Sequence, residues 1–82
     1  EIITTKGEEI AQFLMYDIGR GITTYNAYGA FTHSEKKVLE TVVSKYEINR
    51  VIEDARKIDP QVFVTVAPIK KVYGNFKKKT IA

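Results

Sequence analysis

The sequence predicts an α+β sandwich in which two helices lie on one face of a four-stranded antiparallel sheet, and three observations carry that prediction. Two segments repeat apolar residues at helical spacing: Ile10, Phe13, Leu14 and Ile18 in one, and Ile48, Val51, Ile52, Ala55 and Ile58 in the other. The stretches around them are rich in β-branched and aromatic residues, which suit a pleated, half-buried surface. Only a short polar link, His33-Ser34-Glu35-Lys36, separates the two middle strands, so they form an antiparallel hairpin.

Taken in order, Ile2 and Ile3 open the chain as a short apolar strand. Thr5-Lys6-Gly7-Glu8 fits a capping box for the first helix, and Glu8 and Glu9 suit the positive end of its dipole. Gly19 stands where a left-handed residue ends a helix. Residues 22–32 read as the second strand, with Gly29 marking a bulge or a close backbone approach. Residues 37–43 read as the third, with Val38 and Val42 on one face and Leu39 and Val43 on the other. Ser44-Lys45-Tyr46-Glu47 is a second capping box, and the helix it opens carries Arg50–Asp54 and Glu53–Lys57 as i,i+4 pairs on its outer face. Asp59-Pro60 stops that helix, because proline disfavours a helical residue before it. Residues 62–66 form the last clear strand, and residues 69–76 pair briefly around a Gly74-Asn75 turn. The resulting β-α-β-β-α-β order is the split βαβ, ferredoxin-like arrangement. Residues 1–76 read as one domain and residues 77–82 as a basic tail.

The inventory removes several functions. The 82 residues contain no cysteine, which excludes disulfides, thiolate nucleophiles and sulfur-ligated metals. One histidine, His33, cannot build a multi-histidine metal site, and no residue set implies a cofactor. No apolar stretch approaches the roughly 18 residues needed to cross a bilayer, and no basic-then-apolar leader opens the chain. The chain begins at Glu1 and its single methionine is Met15, which reads as a piece cut or processed from something longer.

The usual occupations of this fold fare no better at their own positions. An RNA-recognition domain stacks bases on aromatic residues of its central strands; here the first offers Ile2 and Ile3 and the third has none. Metal-chaperone versions need a Cys-x-x-Cys pair. Acylphosphatase-type enzymes need an arginine in a glycine-rich cradle after the first strand, where this chain reads Thr4-Thr5-Lys6-Gly7. His33 beside Ser34 is the one candidate for base and nucleophile, but adjacent turn residues without a third orienting group do not make a catalytic pair. No catalytic residue is assigned, and a non-enzyme is expected.

Charge is unevenly spread. The formal net charge is +3, yet residues 1–59 carry 8 basic and 10 acidic residues, whereas residues 60–82 carry 5 lysines (Lys70, Lys71, Lys77, Lys78, Lys79) and no acid. A nucleic-acid-binding domain should place its positive charge on a structured face, so the excess reads as a solvated tail, with contact to anionic lipid or nucleic acid as the rival reading. A second concentration, Arg20 between two glycines with His33, Lys36 and Lys37 around the hairpin, is the candidate site for a small anionic ligand. A helix C-terminus favours a cation such as Arg20 through the dipole alone, which is the plainer reading.

Five ordered segments resemble a known family: Gly19-Arg20-Gly21-Ile22-Thr23, Gly29-Ala30-Phe31-Thr32, Glu35-Lys36-Lys37-Val38-Leu39, Ile58-Asp59-Pro60 with Phe63-Val64, and Val72-Tyr73-Gly74 with Phe76. Together they are similar to the C-terminal domain of the YitT family of bacterial multi-pass membrane proteins. The resemblance implies a ferredoxin-like domain of the nitrogen-regulatory PII-like kind, on the cytoplasmic side of the bacterial membrane after N-terminal transmembrane helices. It carries no catalytic residues. Two positions depart from the family pattern: His33 stands where glycine usually follows the threonine of the turn, and Ala27 where glycine is common. Both stiffen the hairpin. PII-like proteins bind nucleotides between subunits with a long loop between the second and third strands, and the connection here is too short to copy it.

The expected function is a non-enzymatic regulatory or ligand-sensing domain that associates with copies of itself and modulates an attached membrane region. Helices cover one face of the sheet, so apolar residues on the other face need another cover. A small anion- or nucleotide-handling enzyme is the alternative, and nucleic-acid or anionic-lipid contact through the lysine tail is a third reading.

Overall fold

The computed structural model describes residues 1–74 and residue 76. Its elements are β1 (Ile2–Thr4), α1 (Gly7–Asp17), β2 (Thr23–Tyr28), β3 (Glu35–Glu40), α2 (Ile48–Ile58) and β4 (Phe63–Val64). The strands form one antiparallel sheet in the order β2-β3-β1-β4, the ferredoxin-like order expected. Asn75 of the expected Gly74-Asn75 turn and the lysines of residues 77–79 lie outside the described residues, and residues 69–74 and 76 form no strand.

Side-chain alternation sets the core. Ile2 sits opposite both Leu39 and Val64, so these three share the face that meets the helices. Ile10, Leu14 and Ile18 of the first helical stripe close over them with Val51 and Ala55 of the second. Phe13 turns out to be a flank residue, 38% exposed. Ala55, fully buried, lets α1 and α2 approach closely.

The helix ends differ from the capping motifs in an instructive way. At α1, Lys6 occupies the N-cap with no side-chain cap, and Thr5 is exposed. The hydroxyl of the preceding residue does the work instead: Thr4 Oγ1 accepts from the Lys6 N–H (3.0 Å) and donates to Asp59 Oδ2 (2.6 Å). Thr4 is the inward residue of β1, so its hydroxyl, and not that of Thr5, faces the helices. At α2 half of the expected box forms. Glu47 Oε1 accepts the Ser44 N–H (2.8 Å), but residues 45–47 make a turn closed by Glu47 N–H to Ser44 O (3.0 Å), and the helix starts at Ile48. Gly19 ends α1 in the left-handed conformation (φ 75°), as its position predicted. Asp59 ends α2 in an extended conformation, and its Oδ1 accepts the Gln61 N–H (3.0 Å).

Gly7 explains why the chain has no side chain at the start of α1. A Cβ there would overlap Cβ and Cγ of Lys37, whose stem crosses beneath the helix from β3. The Arg50–Asp54 pair expected on the outer face of α2 is not made. Arg50 reaches across to Asp17 at the end of α1, and Asp54 is buried at 4% exposure. Position 54 falls three residues after Val51 and four before Ile58, and so belongs to the inner stripe.

The strands are shorter than their apolar runs. β3 ends at Glu40, leaving Val43 packed on the core and Val42 exposed. β4 is an edge strand whose single neighbour, β1, is three residues long. One reciprocal pair of bonds, Thr65 N–H to Glu1 O (2.9 Å) and the Glu1 amine to Thr65 O (2.9 Å), continues it before Pro68.

Candidate functional site

The four residues expected to gather on an anion occupy separate parts of the molecule. Arg20 lies just past α1 with its guanidinium almost covered. It donates from Nε to Glu47 Oε1 (3.2 Å), pairs through Nη2 with the same oxygen (3.1 Å), donates from Nη1 to the Phe76 carbonyl (2.6 Å) and stacks 4.1 Å over the Phe76 ring. β2 then runs six residues, about 20 Å of extended chain, before the hairpin tip that holds His33. His33 is exposed, with its Nδ1 3.3 Å from the Tyr28 hydroxyl and the two rings edge to face. Lys36 and Lys37 are consecutive on β3 and therefore face opposite sides of the sheet. Lys36 sits opposite Ala27, and Lys37 opposite Thr4 beneath Gly7.

The hairpin geometry gives His33 another meaning. Gly29 and Ser34 close the turn (Gly29 N–H to Ser34 O, 2.9 Å), and the His33 N–H returns to Gly29 O (2.8 Å). This places His33 at φ 56°, the left-handed region in which glycine is the unstrained residue. Ser34 Oγ pairs with Thr32 Oγ1 (2.7 Å) and makes no bond to the imidazole. Nucleophile and base are therefore not assembled. Among the described residues no group of three or more His, Cys, Asp or Glu side chains is placed to hold a metal ion.

What the fold does assemble is a sheet face that no helix among the described residues covers. Val38 lies opposite Ile3 on one side and Tyr25 on the other, and Phe63 lies beyond Ile3, so these four share the side away from the helices. Val38 is 5% exposed because its two cross-strand neighbours cover it. Tyr25 and Phe63 stay open at 45% and 61%. Glu40 and Glu1 rim the patch: the Tyr25 hydroxyl donates to Glu40 Oε1 (2.8 Å) and approaches Glu1 Oε2 (3.4 Å). The Glu40 bond, with desolvation and both carboxylate charges behind it, pushes the Tyr25 phenol up to about 12. At the tip of the same hairpin, Phe31 is 96% exposed.

A groove of about 1030 Å³ opens at one end of the sheet, between Val43, Ile48 and Ile52 on the body and Val66, Ile69 and Val72 of the segment after β4. The Arg20–Phe76 contact ties the far end of that segment down. Sequence reasoning missed this groove, because residues 66–72 carry no helical or strand period strong enough to place them.

The comparisons fall on this same framework. The family described as an uncharacterized protein conserved in bacteria, DUF2179, matches residues 20–74. The chain belongs to the DUF2179 family. Its similarity extends to the UPF0750 membrane protein YitT of Bacillus subtilis (strain 168), 32% identical over 77 residues that cover 94% of this chain and 28% of the relative. An uncharacterized protein in the cccA 5′ region of Bacillus sp. (strain PS3) is 38% identical over 73 residues, 89% of this chain and 49% of the relative. The UPF0750 membrane protein YdeO of Bacillus subtilis (strain 168) is 35% identical over 78 residues, 94% of this chain and 27% of the relative. This DUF2179 chain thus spans about a quarter to a half of the length of these relatives. No solved structure matches it. Among its described residues no helix is long and apolar enough to cross a membrane.

Proposed function

We propose that this DUF2179 domain is a non-enzymatic regulatory module that associates with copies of itself through the open face of its sheet. Through that association it modulates a membrane region attached to it, on the cytoplasmic side. The observation that carries the reading is the apolar group Ile3, Val38, Tyr25 and Phe63 on the side of the sheet that no helix among the described residues covers. Antiparallel sheets tolerate one solvated face when its residues are polar; this one is not polar at its centre. The membrane-protein relatives, which extend well beyond the matched region, support the attached partner.

The size of the effect follows from one side chain. Phe63 leaves 61% of its surface exposed, about 120 Å² of a typical phenylalanine. Burying it at about 25 cal/mol per Å² contributes about 3 kcal/mol per copy. Sedimentation or light scattering across a wide concentration range tests this. The expected result is reversible association that Phe63→Lys weakens by about a hundredfold or more while leaving the circular dichroism spectrum intact. A wild-type chain that stays monomeric at every concentration, or a Phe63→Lys variant that associates as wild type does, removes the reading.

A further inference from the structure

The seam between the helices contains two acidic side chains in contact. Asp17 is the last residue of α1, and Arg50 of α2 grips it with both forks: Nε donates to Oδ2 (2.9 Å) and Nη2 to Oδ1 (2.7 Å). One turn further along α2, Asp54 is 4% exposed, and its Oδ2 meets no solvent and no N–H or hydroxyl donor. The group it does meet is the Asp17 carboxyl. Arg50 is committed to Asp17 and does not hydrogen-bond to Asp54. A buried carboxylate oxygen with no donor is costly, and two facing carboxylates repel, so such pairs hold a proton between them.

We infer that Asp17 and Asp54 form a proton-binding site in the α1–α2 seam, in which protonated Asp54 donates to the Asp17 carboxylate and loss of that proton destabilises the packing of the two helices. The charged groups acting on Asp54 are Asp17 from α1 and Arg50 and Lys57 from α2. Desolvation first, then the bond and charge of Asp17, push the Asp54 carboxyl up to about 6. The Asp54 bond first, then Arg50, hold Asp17 below the usual carboxylate range. Arg50 therefore selects which oxygen pair is the anion, and burial selects which carboxyl keeps the proton.

The direction of the pH response follows. In the unfolded chain both carboxyls titrate near their ordinary values, about 4. Below that pH the unfolded chain binds two protons and the folded pair one, so the pair's contribution to stability grows as pH rises. Between about 4 and 6 the folded pair holds a proton that the unfolded chain does not, and stability falls as pH rises through that window. A displacement of about two pH units corresponds to about a hundredfold in proton affinity.

The test uses the intact chain. Urea unfolding is measured between pH 4.5 and 7.5 for wild type and for Asp54→Asn, whose amide N–H replaces the proton. The wild-type unfolding constant should rise by about twenty- to thirtyfold across this range through the pair, and Asp54→Asn should lose most of that slope. Carbon NMR of the side-chain carboxyls, on the wild type alone, should show Asp54 titrating near pH 6, and this reading stands even if the variant fails to fold. Asp54 titrating near 4, or an Asp54→Asn chain with the wild-type slope, overturns the site.

Discussion

Substituting Thr4 by valine tests the contact that ties the start of the sheet to the end of α2. Valine keeps the shape and the burial but removes the hydroxyl. Asp59 Oδ2 then loses its 2.6 Å donor, and the Lys6 N–H loses its 3.0 Å acceptor at the head of α1. A hydrogen bond to a charged group contributes about 1.5–3 kcal/mol, and a neutral one about 1 kcal/mol. The expected loss is about 2–4 kcal/mol. For an 82-residue chain, total stability is on the order of 4–12 kcal/mol, so the loss is a large share of the whole. It corresponds to a fall in Tm of about 10–25 °C. The change also has a pH signature. The Thr4 hydroxyl is the largest influence holding Asp59 below the usual carboxylate range. A carboxylate with a depressed folded pKa contributes stability that is present at neutral pH and lost as pH falls through the folded value. Thr4→Val should therefore flatten the acid side of the stability profile as well as lower its plateau. Thermal and urea unfolding from pH 2.5 to 7, with a double-mutant cycle against Asp59→Asn, reads both effects. A loss under about 0.5 kcal/mol, or strict additivity of the two substitutions, would refute the reasoning.

Three further outcomes are expected. His33→Gly removes a left-handed histidine (φ 56°) at the hairpin tip and should raise stability by about 0.5–1 kcal/mol; a lower Tm in a thermal melt contradicts the strain argument. Gly7→Ala gains helix propensity of about 1 kcal/mol but drives a methyl group into the Lys37 stem. The net change should be a loss of about 1–2 kcal/mol, read by urea denaturation. Arg20→Ala removes the guanidinium from buried Glu47 and from the Phe76 carbonyl. It should cost about 2–4 kcal/mol and speed amide exchange in residues 66–74, and Arg20→Lys should not restore it, because an ammonium cannot both fork and stack.

The order of elements, most of the inner stripe of each helix, the Gly19 stop and the Asp59-Pro60 stop were legible because each is written in neighbouring residues. A helix face repeats every three or four positions and a hairpin closes within six, so the chain need not be folded to show them. The candidate site was legible only in part. The apolar pattern of Val38 against Leu39 announced a sheet with two faces to fill, and the fold shows Tyr25 and Phe63 standing on the open one. Arg20, His33, Lys36 and Lys37 looked like one cluster because sequence proximity and shared charge were the available measures of nearness. Strand alternation separates the two lysines, the length of β2 separates His33 from Arg20, and Glu47 and Phe76 occupy the guanidinium.

By itself, then, the sequence determined the βαββαβ order, the absence of cysteine and the single histidine, and the shift of positive charge into residues 60–82. Tertiary structure alone decided which of two adjacent threonines bonds the backbone at the head of α1, that Arg50 turns to Asp17 and leaves Asp54 buried, and that β4 stops after two residues. The physical reason is the same in each case. Periodicity fixes which side of an element a residue faces, but the partner on that side is set by the register of the strands and the crossing of the helices. Those are properties of the packed chain, and two residues such as Thr4 and Asp59 find each other across 55 positions only when it is folded.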